Sequence, residues 1–315
     1  MSGIKIRGTG RFAPAKIVTN DDLAKIVDTN DEWITTRTGI QTRHHCTTET
    51  HTDMCVGAAR QALENAGISP EDIGACVVAT FSSDYLSPSA ACMVQRGLGL
   101  PHDAVCFDLN AACSGFLFAI HTMECLLAQA PRKYGLVIGA EMLSRFINWE
   151  DRGTCVLFGD GAGAVVVEWR EDYPSIHAVL GCHGDPEMLG VTGAEKPEPA
   201  RIFMHGQPTF KFAVKAVPYC IDQVLEKAHM TIGDVDFFVF HQANARIIDF
   251  AAKKYHIPPE KYYKNIQKYG NTSAASIPLV ISELHDLGKV RPGSRVLLVG
   301  FGGGLTWGGA LVEFA

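Results

Sequence analysis

The sequence predicts an α/β protein built from two similar halves, and three observations carry this prediction. Continuous apolar runs alternate with amphipathic segments, which is typical of sheets covered by helices on both faces. The two halves repeat the same order of elements, which indicates an internal duplication. Each half also closes with a glycine-rich turn followed by an apolar strand. A chain of 315 residues suffices for two ordinary domains or one large duplicated domain.

The first half is predicted to begin with a strand at its N-terminus, residues 1–7. A helix is predicted at residues 52–66, because this segment follows a threonine cap and ends at Gly67, where a C-terminal glycine belongs. Buried strands are then predicted at residues 75–79, 104–110, 134–139 and 164–168, with the glycine-rich turn 159–163 before the last of them.

The second half repeats this order. A turn segment precedes the apolar run 237–240, as residues 67–73 precede the run 75–79 in the first half. Helices are predicted at residues 212–229 and 243–255, and strands at residues 294–300 and 310–314. The seam lies near residues 171–174, which gives predicted domains of 1–172 and 173–315. The Gly- and Pro-rich stretch 181–208 is predicted to be an irregular surface excursion with a function.

Composition argues against several classes of function. Charged residues make up 20% of the chain and the net charge is −6, which does not favour a nucleic-acid partner. The ten cysteines are scattered without a C-x-x-C pair or a His/Cys cluster, so neither a metal site nor a thioredoxin-like site is expected. We find no run of about 18 apolar residues and expect no membrane span. These features predict a cytoplasmic protein with reduced thiols.

Cys113 is the strongest candidate for a catalytic nucleophile. The apolar segment 104–110 leads into a turn of small residues, and apolar residues then recur at helical spacing. The thiol is therefore placed near the free N–H groups of a helix start, where an anion is favoured, and we expect its pKa to be lowered. His241, after the apolar run 237–240, and Asn271, in a turn, are its candidate partners.

Four separated motifs resemble those of β-ketoacyl-[acyl-carrier-protein] synthase III. They are Asn-Ala-Ala-Cys-Ser-Gly at 110–115, His-Gln-Ala-Asn at 241–244, Gly-Asn-Thr-Ser-Ala-Ala-Ser at 270–276 and Gly-Phe-Gly-Gly-Gly at 300–304. The resemblance runs nearly end to end, from residue 31 to the closing strand. It implies the thiolase fold, with two similar α/β halves in five αβαβα layers, and a homodimer.

The implied activity is a decarboxylative Claisen condensation of an acyl-CoA primer with malonyl-acyl carrier protein, which initiates type II fatty-acid biosynthesis. Cys113 would attack the acyl-CoA and hold the acyl group. His241 and Asn271 would donate hydrogen bonds to the enolate that forms when the malonyl group loses CO₂. The backbone N–H groups of Cys113 and Gly303 would form the oxyanion hole. Both thioesters are substrates, so no cofactor is expected.

The resemblance also implies binding residues at the entrance. Trp33 would stack on the adenine, flanked by Arg37 and Arg152, and Gly206 and Asn244 would line the pantetheine tunnel. An acidic carrier protein would dock on a basic patch, for which the alternative is a solvated helix face. The residues of this predicted patch are Lys211, Arg246, Lys253 and Lys254.

The acyl pocket contains the departures from the family pattern. Acetyl-selective members often carry a bulky aromatic residue where this chain has Ser87 before Pro88, and Leu305 stands where Phe is common. We therefore expect primers longer than acetyl, or branched ones. The predicted pocket walls, each of which could also be plain core, are Leu86, Ser87, Leu143, Phe158 and Leu189.

Three other functions stay open at this level. One is a related condensing enzyme of a secondary-metabolite pathway. Another is an acyltransferase that passes the acyl group from Cys113 to an alcohol or amine. The third is an inactive partner subunit, although such partners typically lose the nucleophile that this chain retains. The His/Asn pair favours carbanion chemistry, since simple transfer needs a base more than it needs two enolate donors.

Overall fold

The first sheet takes all its strands from the first half of the chain. The computed structural model describes residues 2–193 and 199–315, and in this sheet two neighbouring strand pairs are parallel and the other two are antiparallel. Across the sheet the five strands are β1 (Gly3–Phe12), β7 (Gly161–Arg170), β6 (Tyr134–Glu141), β4 (Ile73–Ala79) and β5 (Val105–Leu109). Among the strands described, β5 has a neighbour on one side only.

The second sheet comes from the second half and follows the same plan. Its four strands, in order, are β11 (Phe237–Phe240), β12 (Arg295–Gly302), β13 (Gly304–Glu313) and β8 (His177–Asp185). Two short antiparallel pairs flank the sheets: β2 (Lys16–Thr19) with β3 (Thr42–His45), and β9 (Leu189–Val191) with β10 (Ile202–Met204). All strands of the two main sheets fall on the predicted sides of the seam.

The stretch 181–208 is more regular than predicted. Its first residues continue β8 along β13, and the antiparallel pair β9–β10 lines a large cavity. The prediction of an irregular excursion was wrong for these segments, because glycines within a strand were taken as a loop signal. Residues 194–198 of the stretch lie outside the described residues.

Ten α-helices belong to the described part of the chain. The helix predicted at residues 52–66 begins one residue earlier, after Thr50, whose side chain accepts a hydrogen bond from the Asp53 N–H, and it ends at Gly67 with a φ of 65°. The helices are α1 (Asn20–Leu23), α2 (Asp31–Thr38), α3 (His51–Ala66), α4 (Ala90–Leu98), α5 (Gly115–Leu127), α6 (Arg152–Cys155), α7 (Gly206–Ala228), α8 (Ala245–Lys254), α9 (Ile266–Tyr269) and α10 (Ser276–Asp286). None of these helices is both long and apolar enough to cross a membrane.

The helices and sheets form the five predicted layers. Helices α5 and α10 lie between the two sheets, and their side chains form one buried cluster with the inner faces of both sheets. Helices α3 and α4 cover the outer face of the first sheet. Helices α7 and α8 cover the outer face of the second. Both central helices are apolar around most of their circumference, as a helix buried between two sheets must be.

Equivalent turns precede the two central helices. Residues 112–114 form a 3₁₀ turn before α5, and residues 273–275 form one before α10. Each turn contains a non-glycine residue in the left-handed region, Ala112 at φ 46° and Ser273 at φ 50°. In each, an asparagine Oδ1 two residues earlier accepts the N–H of that residue, at 3.1 Å from Asn110 and 2.9 Å from Asn271. The position of Cys113 in the first turn is taken by Ala274 in the second.

Candidate active site

The two turns meet at one cavity of about 890 Å³. Its wall includes Cys113 from the first turn, Asn271 from the segment before the second, and His241 from the end of β11. The structure therefore brings together the predicted nucleophile and both predicted partners, although Cys113 is more than 100 residues away from either partner in the sequence. The same cavity extends to Trp33 and Arg37 at the surface of the chain.

Cys113 is buried, and its thiol differs from the prediction. Burial raises its pKa to about 11, and the negative charge of Glu141 contributes in the same direction. The Ser273 hydroxyl and the N–H groups of Cys113 and Gly303 act in the opposite direction, but their effect is smaller. The prediction of a lowered pKa was therefore wrong, because desolvation outweighs the three groups that act in the opposite direction. The resting thiol carries its proton at neutral pH.

The predicted oxyanion-hole donors surround the sulfur. The backbone N–H groups of Cys113 and Gly303 lie close enough to the Cys113 Sγ to lower the pKa of the thiol. The strand end at Gly302 passes so close that a Cβ there would lie 2.7 Å from the Cys113 nitrogen. Only glycine permits this approach, so Gly302 holds the two donors beside the sulfur.

His241 follows β11 and is buried, with 3% of its surface exposed. Its Nδ1 lies 2.6 Å from the Ser276 Oγ, which also accepts the Gln242 N–H at 3.4 Å. Burial lowers the pKa of His241 to about 3, so the ring is neutral at physiological pH. When Ser276 donates its hydroxyl proton to Nδ1, the neutral ring carries its proton on Nε2.

Asn271 has its side chain fixed by the adjoining turn. Its Oδ1 accepts the Ser273 N–H at 2.9 Å, so its amide nitrogen is the end left free for a further partner. Asn271 and His241 thus both present N–H donors at the cavity. Two neutral donors in a buried cavity suit a developing negative charge on an oxygen atom.

The predicted nucleotide-binding residues cluster at the opposite end of the cavity. The Arg37 guanidinium lies 4.7 Å from the centre of the Trp33 ring, and the Arg152 guanidinium lies 4.8 Å from it. Gly206 lines the cavity at the start of α7. Asn244 lines it too, but its side chain caps α8 by accepting the Arg246 N–H and donates to the Arg37 carbonyl at 3.0 Å. Its amide therefore also joins α8 to α2.

The predicted acyl-pocket residues divide into two groups. Leu143 and Phe158 are buried and line the cavity, and Leu189 of β9 joins them. Leu86 lies at the cavity edge but is fully exposed. Ser87 is exposed and does not line the cavity, because it lies in the loop between β4 and α4, which turns toward solvent.

The predicted docking residues all lie on the outer helices of the second half. Lys211 on α7 and Arg246, Lys253 and Lys254 on α8 are exposed, and none has an acidic partner among the residues described. The Arg246 guanidinium lies 5.4 Å from the ring of Phe210, which lines the cavity. The basic residues therefore begin at the cavity mouth and continue along α8.

Sequence reasoning missed three polar residues around the site: Glu141, Ser273 and Ser276. Ser273 and Ser276 lie inside the segment 270–276, in which only Asn271 was predicted to be a site residue. Glu141 ends β6, and a carboxylate that closes an otherwise apolar strand was the available signal. In the described part of the chain no group of three or more His, Cys, Asp or Glu residues is arranged to hold a metal ion.

Comparison with known proteins gives consistent similarities. The family profile described as 3-oxoacyl-[acyl-carrier-protein (ACP)] synthase III matches residues 107–184, and the profile for its C terminal matches residues 225–314. The β-ketoacyl-[acyl-carrier-protein] synthase III of Clostridium acetobutylicum is 45% identical over all of this chain and 99% of its own length. That of Acholeplasma laidlawii is 47% identical over 98% of each. The crystal structure of 3-oxoacyl-[acyl-carrier-protein] synthase III from Aquifex aeolicus has a TM-score of 0.92 and 46% identity, and it covers 99% of this chain and 100% of its own.

Proposed function

Since this chain belongs to the 3-oxoacyl-[acyl-carrier-protein] synthase III family of thiolase-fold condensing enzymes, and catalyses the condensation that initiates fatty-acid synthesis, we propose how its residues divide that reaction. Cys113 carries the acyl group, and His241 with Asn271 assists the loss of CO₂. The relatives favour this condensation over transfer of the acyl group to an alcohol or amine. The proposal uses acyl-CoA and malonyl-acyl carrier protein as substrates and includes no cofactor.

In the first half-reaction the sulfur of Cys113 attacks the carbonyl carbon of the acyl-CoA. The carbonyl oxygen becomes an oxyanion, which accepts hydrogen bonds from the N–H groups of Cys113 and Gly303. Coenzyme A then leaves as a thiol, and Cys113 holds the acyl group as a thioester. Because the thiol has a raised pKa, its proton must be removed during this step.

In the second half-reaction the malonyl thioester loses CO₂, and negative charge collects on its thioester oxygen. His241 Nε2–H and the Asn271 amide donate hydrogen bonds to that oxygen. A neutral imidazole suits this task because its Nε2–H can donate a hydrogen bond without the ring having to take up a proton. The carbanion then attacks the acyl carbonyl on Cys113, and the sulfur leaves as a thiolate when 3-oxoacyl-acyl carrier protein is released. One proton taken up from the solvent restores the thiol.

A single observation carries this division of roles: Cys113, His241 and Asn271 line one cavity that reaches the surface at Trp33. A pantetheine arm that enters there would deliver its thioester to all three side chains. Both the Arg37 and the Arg152 guanidinium lie close to the Trp33 ring, which supports binding of the adenine end of coenzyme A. The adenine base would displace one guanidinium from the ring. Gly206 and Asn244 are proposed contacts along the arm.

The test is the intact-protein mass after incubation with acetyl-, butyryl-, isobutyryl- and octanoyl-CoA, followed by a chase with malonyl-acyl carrier protein. We expect an acyl adduct that is absent from Cys113→Ala and that clears on the chase as CO₂ is released. An adduct that persists through the chase would show that the acceptor is a different molecule. If no adduct forms with any of the four thioesters, the proposed role of Cys113 is wrong.

The same panel tests the proposal that primers longer than acetyl, or branched ones, are accepted. Its support is an apolar wall that includes Leu143, Phe158 and Leu189, without the Ser87 side chain filling the cavity. We expect butyryl- or isobutyryl-CoA to acylate Cys113 at least as fast as acetyl-CoA. A tenfold or greater preference for acetyl-CoA would contradict this.

We also propose that the protein works in the cytoplasm as a homodimer and binds its carrier protein at α7 and α8. All ten cysteines are free thiols, which suits a reducing compartment. The free edge of β5 supports the dimer, and the unpaired basic residues beside the cavity support the docking surface.

A further inference from the structure

Glu141 is a buried carboxyl group near the nucleophile for which the steps above have no use. It ends β6, and none of its surface is exposed. Its Oε2 accepts hydrogen bonds from the Thr80 hydroxyl at 3.2 Å, the Phe81 N–H at 3.4 Å and the Ser82 hydroxyl. Its Oε1 faces the Ser273 hydroxyl at 3.4 Å, on the side of the cavity. A carboxyl group enclosed in this way is costly to bury, so the fold retains it against a penalty.

Ser273 connects this carboxyl group to the nucleophile. Its hydroxyl donates to Glu141 Oε1, and its side chain lies next to the Cys113 thiol, whose pKa it lowers. A hydroxyl has only one proton to donate. When Ser273 donates to a Glu141 carboxylate, it can only accept from the Cys113 thiol. When it donates to a Cys113 thiolate, it can only accept from a protonated Glu141. These two arrangements contain the same protons and differ by one proton shift along each hydrogen bond.

We propose that Glu141 is a positioning residue that takes up the proton of Cys113 through Ser273 during acylation, which rests on the proposed role of Cys113 as nucleophile. As the sulfur bonds to the acyl carbon, its proton passes to the Ser273 oxygen. Ser273 passes its own proton to Glu141 Oε1. When the bond from the acyl carbon to coenzyme A breaks, the proton returns along the same path to the departing sulfur. The step needs no outside acid, base or oxidant.

The charge states of the pair fit this role. Burial raises the pKa of Glu141 to about 8, despite the hydrogen bonds that favour its carboxylate. Some carboxylate is therefore present at neutral pH to accept a proton. Without such an acceptor the Cys113 thiol, with a pKa of about 11, would lose its proton only in strongly alkaline solution. Because the two groups titrate as a coupled pair, the reactivity of Cys113 should depend on the protonation of Glu141.

Other titratable groups near the carboxyl do not neutralise it. His51 of α3 lies behind Thr80, with its Nε2 at 3.0 Å from the Thr80 hydroxyl, and burial lowers its pKa, so it is neutral. Cys55 of α3 is protonated, since burial raises its pKa. Asp84, which is paired with Arg145, accepts the His51 N–H, and Asp108 influences the same histidine from β5. Within the described residues Cys113 is the group that reaches Glu141 Oε1 through a single hydroxyl.

The first experiment measures alkylation of Cys113 by iodoacetamide between pH 6 and 10, with peptide mass spectrometry to follow this residue alone. In the native enzyme the rate should rise with pH and level off near pH 8, because the first proton that the pair loses comes from Glu141. In Glu141→Gln no such proton exists, so the rate should continue to rise. We expect the two rates to agree within about threefold at pH 6.5, and the variant to be at least ~10-fold faster at pH 9.5.

The second experiment measures the acylation rate with butyryl-CoA over the same pH range. Glu141→Gln and Ser273→Ala should both acylate ~100-fold more slowly at pH 7, which is a typical general-base contribution, and should recover as the pH rises. Ser273→Ala keeps the backbone N–H that orients Asn271, so it changes only the hydroxyl. The control is Ser114→Ala, a buried serine beside Cys113 whose hydroxyl has no hydrogen-bond partner among the residues described. It should acylate at the native rate.

Each outcome decides the proposal. If acylation by the two variants falls equally at every pH, or does not fall, Glu141 has a purely structural role and the proposal is wrong. If Glu141→Gln does not fold, Ser273→Ala carries the test by itself, since Glu141 keeps its other three hydrogen bonds. If the alkylation profiles change as expected but acyl-CoA never modifies the native enzyme, the coupling stands and the proposed function of Cys113 fails.

Discussion

At Cys113 two local influences on the thiol oppose each other. The helix start and the nearby N–H groups favour a thiolate, while removal of the sulfur from water favours the neutral thiol. The sequence reveals the first influence, because a small-residue turn before an apolar helix is a local pattern. It does not reveal the second, which depends on residues far away in the sequence, such as Gly302, packing against Cys113. The residue was therefore predictable, and its protonation was not.

His241 and Asn271 should matter for one half-reaction and not for the other. In His241→Ala and Asn271→Ala we expect acylation of Cys113 at a rate close to native, because neither side chain contacts the sulfur in the proposed first step. The release of CO₂ from malonyl-acyl carrier protein should fall by about two orders of magnitude, since each variant removes one donor from the enolate.

Acyl-enzyme mass and CO₂ release, measured on the same preparations, separate the two half-reactions. The control is Gln267→Ala, a residue of α9 away from the cavity wall, which should be native in both assays. An equal loss of acylation and CO₂ release in the His241 and Asn271 variants would show that these residues maintain the cavity and do not act on the enolate.

At the scale of elements, α8 carries exposed basic residues near both of its ends. Arg246 lies at its start beside the cavity mouth, and Lys253 and Lys254 lie at its end, about two turns further along. In the double variant Lys253→Glu, Lys254→Glu we expect the KM for malonyl-acyl carrier protein to rise ~10-fold, with acylation by acyl-CoA unchanged. Each exposed pair lost is worth up to about 1 kcal/mol, so two account for that factor.

Steady-state kinetics at two salt concentrations check this prediction, because added salt should weaken binding of the native enzyme more than that of the variant. Arg60→Glu on α3 is a matched charge reversal on the opposite outer layer and should leave the KM unchanged. If the α8 variant retains the native KM at low salt, the basic residues form an ordinary solvated helix face.

Most elements could be predicted from the sequence because their signals are local. The strand 237–240 was placed at its observed bounds from its apolar run, and α3 was placed to within one residue from its cap and Gly67. The start of α7 was missed by several residues, since Gly206 and Pro208 are unusual in a helix and are tolerated there only within the first turn. The exposure of Ser87 could not be predicted, because it depends on the direction of a loop.

At the scale of the whole molecule, β5 leaves apolar surface uncovered. Val105 is 43% exposed on this edge strand, and Tyr85 and Leu86 are exposed in the loop that leads from β4 to α4. A free edge with apolar side chains invites pairing with another strand, and a second copy of β5 is the proposed partner. We expect sedimentation equilibrium to give twice the chain mass of 34.1 kDa.

Val105→Lys should shift this equilibrium toward the single chain, because a charge would be placed in the proposed interface. The substitution lies on an exposed position, so the fold of one chain should be retained. Ile26→Lys is a matched control, since Ile26 is also a β-branched apolar residue, 56% exposed, and lies outside the first sheet. A native enzyme that sediments at 34.1 kDa at micromolar concentration would contradict the dimer.

The buried ionisable groups predict how stability depends on pH. Glu141 has a folded-state pKa of about 8, above its ordinary value of 4.5, so its contribution to stability is present below pH 4.5 and is lost as the pH rises through 8. His241 has a folded-state pKa of about 3, so its contribution is present above pH 6.5 and is lost as the pH falls toward 3. The two groups limit stability from opposite sides.

Glu141→Gln should remove the alkaline limb. Urea unfolding at pH 5, 7 and 9 should show the native protein losing free energy of unfolding relative to the variant as the pH rises, by up to ~5 kcal/mol. A difference between the two proteins that is constant with pH would show that Glu141 is not buried as a titrating group in the native enzyme.

The paired turns at residues 110–115 and 271–276 also imply a history. If a half-length ancestor once associated as a symmetric pair, both copies would have carried the same residue at the position now held by Cys113 and Ala274. Such a pair would carry identical residues at this position, just as Asn110 and Asn271 are still identical at the start of the two turns. Fusion into one gene removed that constraint, because each turn could then mutate by itself. One copy was then free to carry the thiol that we propose as the nucleophile, while the other carries alanine at the same position.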